Sequence, residues 1–180
     1  MPWIGETMTE TIAYEETGRM GDVEFRTYPS ILLATVSGAE ENENFMILFR
    51  YISGNNRPGK KIPMTAPVIT PEKIAMTAPV ISDAHAMSFI MPAAYKKEEV
   101  PEPLDSRISI QEIPPRELAV IRFRGRASEG DVAEVRERLL RTLEEAKVPI
   151  AGTPFLMRYN SPFTPGFLRR NEVGVEIQRK

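Results

Sequence analysis

The sequence predicts an α+β fold in which a curved or barrel-like antiparallel sheet of about eight strands carries two helices. Three observations support this fold class. Short extended runs are bounded by Pro or Gly, two stretches have helical periodicity, and one order of elements occurs twice along the chain. The 16 prolines among 180 residues favour many short elements. Because strands and helices do not alternate regularly, an antiparallel sheet is favoured over a doubly wound one.

The first half begins with two predicted strands. Residues 1–21 form a polar lead-in, and residues 23–26 alternate between apolar and charged side chains, as a half-buried strand does. Pro29 interrupts the extended pattern. Residues 31–36 form a second apolar run, which Gly38 ends. Both runs are therefore expected in one sheet.

A helix is predicted over about residues 40–53. Its apolar face is defined by Phe45, Leu48, Phe49 and Ile52, at positions i, i+3, i+4 and i+7. Gly54 follows as a plausible helix stop.

The segment 54–61, GNNRPGKK, is similar to a Walker A phosphate loop but does not match it. Its last residue is Lys61, whereas a phosphate loop needs Ser or Thr there for magnesium. It also runs from a helix to a strand, while phosphate loops run from a strand into a helix. The segment is interpreted as a solvated basic turn.

The motif Met-Thr-Ala-Pro-Val-Ile occurs twice, with Met64 and Met76 twelve residues apart. Proline after alanine and the Val-Ile end favour an extended segment at a sheet edge or bulge. The two copies could pair as a hairpin, or one could be looped out. Their Met and Ile side chains are interpreted as core residues, and a Met-lined pocket is the alternative.

The second half repeats the order of the first. After a strand at 87–91 and a Pro-rich connection at 92–107, strands are predicted at 108–111, 118–124, 153–159 and 173–177, with a helix at about 129–147. Ser128 and Asp131 resemble a capping box. Pro29 and Pro115 are 86 residues apart, and Gly38 and Gly125 are 87 apart. The order indicates an ancient duplication of a strand–helix–strand–strand unit.

Composition excludes several functional classes. The chain has no Cys, so thiolate catalysis, disulfides and iron–sulfur ligation are excluded. A net charge of -2 gives no global attraction to nucleic acid or to an anionic membrane. No long apolar run predicts a membrane span, and no signal peptide is recognised. We therefore expect a cytoplasmic protein with no nucleic-acid partner.

Catalytic and charged motifs are sparse. The sequence has no nucleophile elbow and no metal-ligand spacing, so a binding protein is expected rather than an enzyme. Arg122, Arg124 and Arg126 would share one face of a strand. That face is interpreted as solvated, and an anion site is the alternative.

Several motifs together resemble the SOUL haem-binding protein family. They are EFRTYP at 24–29, the two MTAPV segments, SFIMP at 88–92, RYNSP at 158–162 and RRNEV at 169–173. The resemblance implies one domain over 22–180, with half-repeats at about 22–91 and 108–179. It also implies a distorted antiparallel β-barrel of two pseudo-symmetric βαββ halves, related in shape to the ligand-binding domains of GyrI-like regulators.

The resemblance further implies noncovalent binding of haem or another tetrapyrrole, for buffering or transport, in a shallow apolar pocket beside the first helix. By position, the pocket residues are Phe45, Phe49, Arg50 and Met64. A porphyrin face needs apolar contacts and its propionates need cations. Phe45 and Phe49 could instead be ordinary core residues of the helix. Another flat hydrophobic ligand, or an uncharacterised enzymatic activity, is the alternative function.

The expected iron ligand is where this sequence departs from the family. Some animal members have a histidine at the position occupied here by Thr27, which is not a usual axial ligand. The one histidine, His85, lies in a loop after the second motif copy. It is interpreted as a solvated residue, with iron ligation as the alternative.

Overall fold

The computed structural model describes residues 10–38, 40–71, 86–160 and 164–178. They form an α+β structure whose chain divides into two compact units. Unit 1 contains Ile31–Ile113 with the segment ending at Ile12, and unit 2 contains Ala13–Ser30 with the residues from Pro114 onward. The helices are α1 (Glu41–Ile52) and α2 (Glu129–Glu145).

Unit 1 contains an antiparallel sheet in the order β9-β4-β7-β6. The short β1 pairs in parallel with β6, and β5 pairs with β8 in a separate two-stranded sheet. The strands are β1 (Glu10–Thr11), β4 (Ile31–Ser37), β5 (Asn56–Arg57), β6 (Thr65–Pro71), β7 (Ala86–Ile90), β8 (Glu102–Pro103) and β9 (Ser109–Ile113).

Unit 2 contains an antiparallel sheet in the order β2-β3-β10-β12-β11. Its strands are β2 (Glu15–Met20), β3 (Val23–Tyr28), β10 (Arg116–Arg124), β11 (Phe155–Arg158) and β12 (Arg170–Glu176). The longest pairing joins β10 to β12 and runs from Leu118 opposite Glu176 to Arg124 opposite Arg170.

The two units have the same strand order. In unit 1 the order β9-β4-β7-β6 matches β3-β10-β12-β11 in unit 2, and the helix follows β4 in one unit and β10 in the other. The predicted repeat of strand, helix, strand and strand is therefore present. The first strand of each half is exchanged, however, because β3 pairs with β10 and β9 pairs with β4.

Each helix covers one face of its own unit's sheet. In unit 2, α2 buries Val132, Val135, Leu139 and Leu143 against apolar residues of β3, β10 and β12. Ser128 caps this helix, since its hydroxyl accepts a hydrogen bond from the backbone N–H of Asp131 at 3.2 Å. In unit 1, α1 ends where Gly54 takes a φ of 126°, which strongly favours glycine.

The loop after α1 is organised by Asn56. This buried side chain donates to the carbonyls of Tyr51 at 2.7 Å and Lys60 at 2.8 Å, and its oxygen accepts from the N–H groups of Gly59 and Lys60. In a phosphate loop, backbone N–H groups donate to the ligand. Here the N–H groups of Gly59 and Lys60 donate to Asn56 instead. The loop follows a helix, as the sequence predicts.

The predicted distorted β-barrel is wrong, because strand pairing does not close on itself. Among the described residues, β2 pairs only with β3, and β9 pairs only with β4. The segment predicted as a polar lead-in contains β1 and β2, which sequence patterns do not reveal because their side chains are almost all exposed. The second motif copy, at 73–82, lies outside the described residues.

The first motif copy forms most of β6. Its pairing with β7 shifts register between Thr65 and Val68, so a bulge surrounds Pro67. A proline has no N–H to contribute to the ladder, which explains why the irregularity falls here. The extended segment with a bulge that the sequence predicts is confirmed.

Candidate functional site

Helix α1 leaves part of its apolar surface uncovered. The rings of Phe45 and Phe49 stack with centroids 6.1 Å apart and planes inclined by 13°. Phe45 also meets the edge of the buried Phe89 ring at 5.4 Å. Phe49 remains 41% exposed and Met46 remains 46% exposed. We call Phe45, Met46 and Phe49 the aromatic patch.

The patch exists because α1 has more apolar residues than its sheet can cover. The sequence FMILF at 45–49 is followed by Arg50 and then by Tyr51 and Ile52, so apolar side chains surround most of the helix. Ile47, Leu48, Tyr51 and Ile52 are buried. The interpretation of Phe49 as a core residue is therefore wrong, while Phe45 is half-buried against the core.

Arg50 and Met64, the other predicted pocket residues, lie in the same unit. Arg50 is exposed, and one helical turn from Met46. Its charge helps to lower the pKa of Asp105, which the hydrogen bonds from Arg107 bring down to about 2. Met64 is half-buried against the same apolar core as Phe45. Unit 1 thus contains all four predicted pocket residues.

Iron ligation receives no support from the described residues. His85 lies outside them, and Thr27 is an exposed residue of β3 in unit 2. Residues 10–38, 40–71, 86–160 and 164–178 contain no group of three or more His, Cys, Asp or Glu placed to hold a metal ion.

A second constellation is buried in unit 2. Arg26 and Glu172 are both fully buried, and the two guanidinium Nη atoms donate to the two carboxylate oxygens at 2.7 Å each. Arg26 also donates to Glu24 at 2.8 Å and to the Tyr28 hydroxyl at 2.9 Å. The Tyr159 hydroxyl donates to Glu172 at 2.6 Å. We call these five residues the buried charge network.

Further cations and rings surround the network. Arg170 donates to Glu172 at 2.9 Å and Arg122 does so at 3.3 Å. The Arg26 guanidinium lies 4.1 Å from the centroid of the Tyr14 ring, and Arg170 lies at the same distance from Tyr159. Arg122 is exposed, as the sequence predicts, but its carboxylate partner is the buried Glu172 rather than a glutamate of the second helix.

The network fixes the ionisation of its members. Burial raises the pKa of Glu172, but hydrogen bonds from Arg26, Tyr159 and Arg170 outweigh burial and hold it at about 2. Burial lowers the pKa of Arg26, and Glu172 more than offsets this. Burial raises the pKa of Tyr159. The carboxylate is therefore charged and fully bonded at neutral pH, so it is a poor general base.

Sequence reasoning found the motifs of this network but not the network. The segments EFRTYP, RYNSP and RRNEV supply Glu24, Arg26, Tyr28, Tyr159 and Glu172. Glu24, Arg26 and Tyr28 alternate along β3, which was the available signal that they share one face. Their burial was not apparent, since a charged strand face usually points to solvent.

Acid should weaken the protein through Glu172. Its folded pKa of about 2 lies below the ordinary value of 4.5, so its stabilisation is complete above about pH 4.5 and is lost as pH falls toward 2. That difference corresponds to about 3 kcal/mol of unfolding free energy. Urea denaturation between pH 6 and pH 2, by circular dichroism, should show this loss in the wild type and a smaller loss in Glu172→Gln.

A Glu112→Gln variant serves as the control, because Glu112 is an exposed carboxylate of β9 in unit 1. It tests whether removing any carboxylate gives the same result. Equal pH dependence of the wild type and Glu172→Gln would contradict the role assigned to Glu172.

Solved structures with similar folds support the architecture. The crystal structure of the EcmrR C-terminal domain matches with a TM-score of 0.60 and 10% identity, covering 93% of this chain and 99% of that one. EcmrR in a complex with DNA matches at 0.65 and 9%, covering 88% of this chain and 57% of that one. A hydrolase from Listeria innocua matches at 0.56 and 10%, covering 90% and 94%. At such identities the similarity concerns the fold alone.

Sequence comparison is more specific. No curated protein matches the chain significantly. The family described as SOUL heme-binding protein matches residues 9–176, nearly the whole chain and all of the motifs described above. The chain therefore belongs to the SOUL heme-binding protein family.

Proposed function

We propose that this protein binds haem or a related tetrapyrrole noncovalently on the aromatic patch of α1. The observation that carries the proposal is the stacked Phe45–Phe49 pair, which keeps Phe49 41% exposed on a helix whose Ile47, Leu48, Tyr51 and Ile52 are buried. Membership of the SOUL family supports the choice of ligand class.

The patch has the chemistry that a flat macrocycle requires. Phe45, Met46 and Phe49 lie on adjacent turns of α1 and present apolar surface for one porphyrin face. Arg50 is four residues after Met46 and forms no ion pair with a carboxylate in the described part of the chain. Its guanidinium can pair with a propionate. Met64, half-buried against the same core, adds an adaptable apolar contact.

We infer that apolar contacts with the macrocycle, rather than an iron–histidine bond, supply most of the binding. Thr27 replaces the family histidine, and no described residue of the chain is a His or Cys. We therefore expect metal-free protoporphyrin to bind about as tightly as haemin. The same patch would suit another flat apolar molecule, and this is the second candidate function.

The test is a titration of the purified protein with haemin and with metal-free protoporphyrin, followed by Soret absorbance. We expect saturable one-to-one binding of both. Phe49→Asp places a charge where the ring would lie and should weaken binding at least about tenfold, since burying a charge without a partner is costly. Met20→Asp is the matched control, because Met20 is 43% exposed in unit 2.

Each alternative has a distinct outcome. Loss of haemin binding in His85→Ala, with protoporphyrin binding absent, would mean that the iron is ligated outside the described residues. Equal binding by Phe49→Asp and the wild type would contradict the assigned location. No saturable change with either ligand would remove tetrapyrroles and leave the second candidate, a different flat apolar ligand.

A further inference from the structure

A short turn in unit 2 exposes the most accessible large apolar side chain among the described residues. It is a 3₁₀ helix of one turn, Gly166–Leu168, in which Phe167 is 75% exposed and Leu168 is 48% exposed. Neither the aromatic patch nor the buried charge network includes these residues. We call Gly166–Leu168 the apolar tip.

The apolar tip lies beside the end of β10 and is hydrogen-bonded through its flanking residues. The Gly125 N–H donates to the Arg169 carbonyl at 3.1 Å, and the Leu168 N–H donates to the Pro165 carbonyl at 2.9 Å. Arg169 Nε donates to the Thr164 carbonyl at 2.9 Å. These hydrogen bonds join the turn to its flanking residues and to Gly125, while the Phe167 side chain stays exposed.

Arginines surround the tip. Arg124 donates to the Leu168 carbonyl at 3.3 Å. The Arg126 side chain packs so closely on Gly166 that a β-carbon there would collide with it. Both arginines are exposed, and neither pairs with a carboxylate in the four described segments of the chain. With Arg169, three cations therefore contact a turn that ends in two apolar side chains.

We propose that the apolar tip binds an anionic membrane surface, with Phe167 and Leu168 entering the headgroup region and Arg124 and Arg126 facing acidic lipid headgroups. Two exposed apolar side chains are far too small an area for a stable protein interface, which buries about 800 Å² per partner. A lipid surface accepts such a tip, because apolar insertion and cation attraction act together there. The whole chain carries a net charge of -2, so the attraction is local and salt-sensitive.

Membrane attachment by this means is peripheral. No helix in the described part of the chain is long and apolar enough to cross a bilayer. One apolar insertion with few cations gives reversible binding, since stable anchoring needs two strong signals. The protein would therefore distribute between solution and membrane according to lipid charge and salt.

The test is sedimentation of the full chain with vesicles of phosphatidylcholine mixed with phosphatidylserine, and with phosphatidylcholine alone. We expect binding to the acidic vesicles that falls with added salt and is much weaker on neutral vesicles. Phe167→Ala should weaken binding about tenfold, and Arg126→Gln about fivefold. Leu104→Ala, in unit 1, is the matched control, because Leu104 is 52% exposed and away from the tip in sequence.

Three results would overturn the proposal. In the first, the wild type does not sediment with acidic vesicles. In the second, it binds neutral and acidic vesicles equally, and in the third, Phe167→Ala binds as well as the wild type. The first would leave a protein partner as the occupant of the tip. Circular dichroism of each variant checks folding, and these exposed substitutions should leave it intact.

Discussion

Replacing Arg26 by methionine is expected to lower the free energy of unfolding by about 3–5 kcal/mol, because it leaves charged residues buried without their main partner. Arg26 is fully buried and donates four hydrogen bonds, two to Glu172, one to Glu24 and one to Tyr28. Glu172 would keep Tyr159 and Arg170, so the carboxylate would stay charged but be less well compensated. Urea denaturation at pH 7 measures the loss.

Arg19→Met is the control for this experiment. Arg19 also pairs with Glu24, at 3.1 Å, but its side chain is 57% exposed, so its removal should cost under about 1 kcal/mol. The double variant Arg26→Met/Glu172→Gln should recover part of the stability, since it removes the uncompensated charge as well. A loss below about 1 kcal/mol in Arg26→Met would contradict the structural role of the network.

Replacing Phe89 by alanine is expected to cost about 3–5 kcal/mol of unfolding free energy. Phe89 lies on β7, is 1% exposed and packs edge to face on Phe45. Its removal leaves a cavity under the aromatic patch as well as a loss of buried apolar area. Urea denaturation measures the effect, and the haemin titration shows whether the patch keeps its shape.

Phe49→Ala provides the comparison within the same unit. Phe49 is 41% exposed, so the free energy of unfolding should change by less than about 1 kcal/mol while ligand binding weakens. If Phe89→Ala lowered the free energy of unfolding by as little as Phe49→Ala, the core of unit 1 would not be centred on β7. Equal destabilisation by both substitutions would contradict the exposure of the patch.

The helices were predictable because local rules determine them. In α2, apolar residues at helical spacing face one way, and Ser128 caps the first turn as its sequence context suggests. In α1, the position of the helix followed from periodicity, but the buried face did not. Apolar side chains occupy most of the circumference from Phe45 to Ile52, so periodicity cannot tell which of them the sheet leaves uncovered.

Strand pairing was less predictable, for a reason specific to a chain whose two halves share one order of elements. When two halves have the same order of elements, β3 has two equivalent neighbours, β4 and β10, and hydrophobic pattern does not distinguish them. β2 escaped notice because its residues are mainly exposed and it forms by backbone pairing with β3.

The buried Arg26–Glu172 ion pair could not be predicted from the sequence for a different reason. Arg26 and Glu172 are 146 residues apart, and nothing local shows that two charged residues on separate strands will share a buried site. The patterns that placed them on strands were correct. The sequence patterns do not show which strands are neighbours, and here β3 and β12 both pair with β10.

The exchange of first strands bears on how such a chain could have arisen. In this chain the first strand of each half pairs with the second strand of the other half. Two copies of a half-length chain that exchanged their first strands would have the same pairing, as in domain swapping between identical subunits. Joining the two copies end to end would turn this exchange of strands between chains into pairing within one polypeptide. The pairing of β3 with β10 and of β9 with β4 is the arrangement that such a fusion would produce.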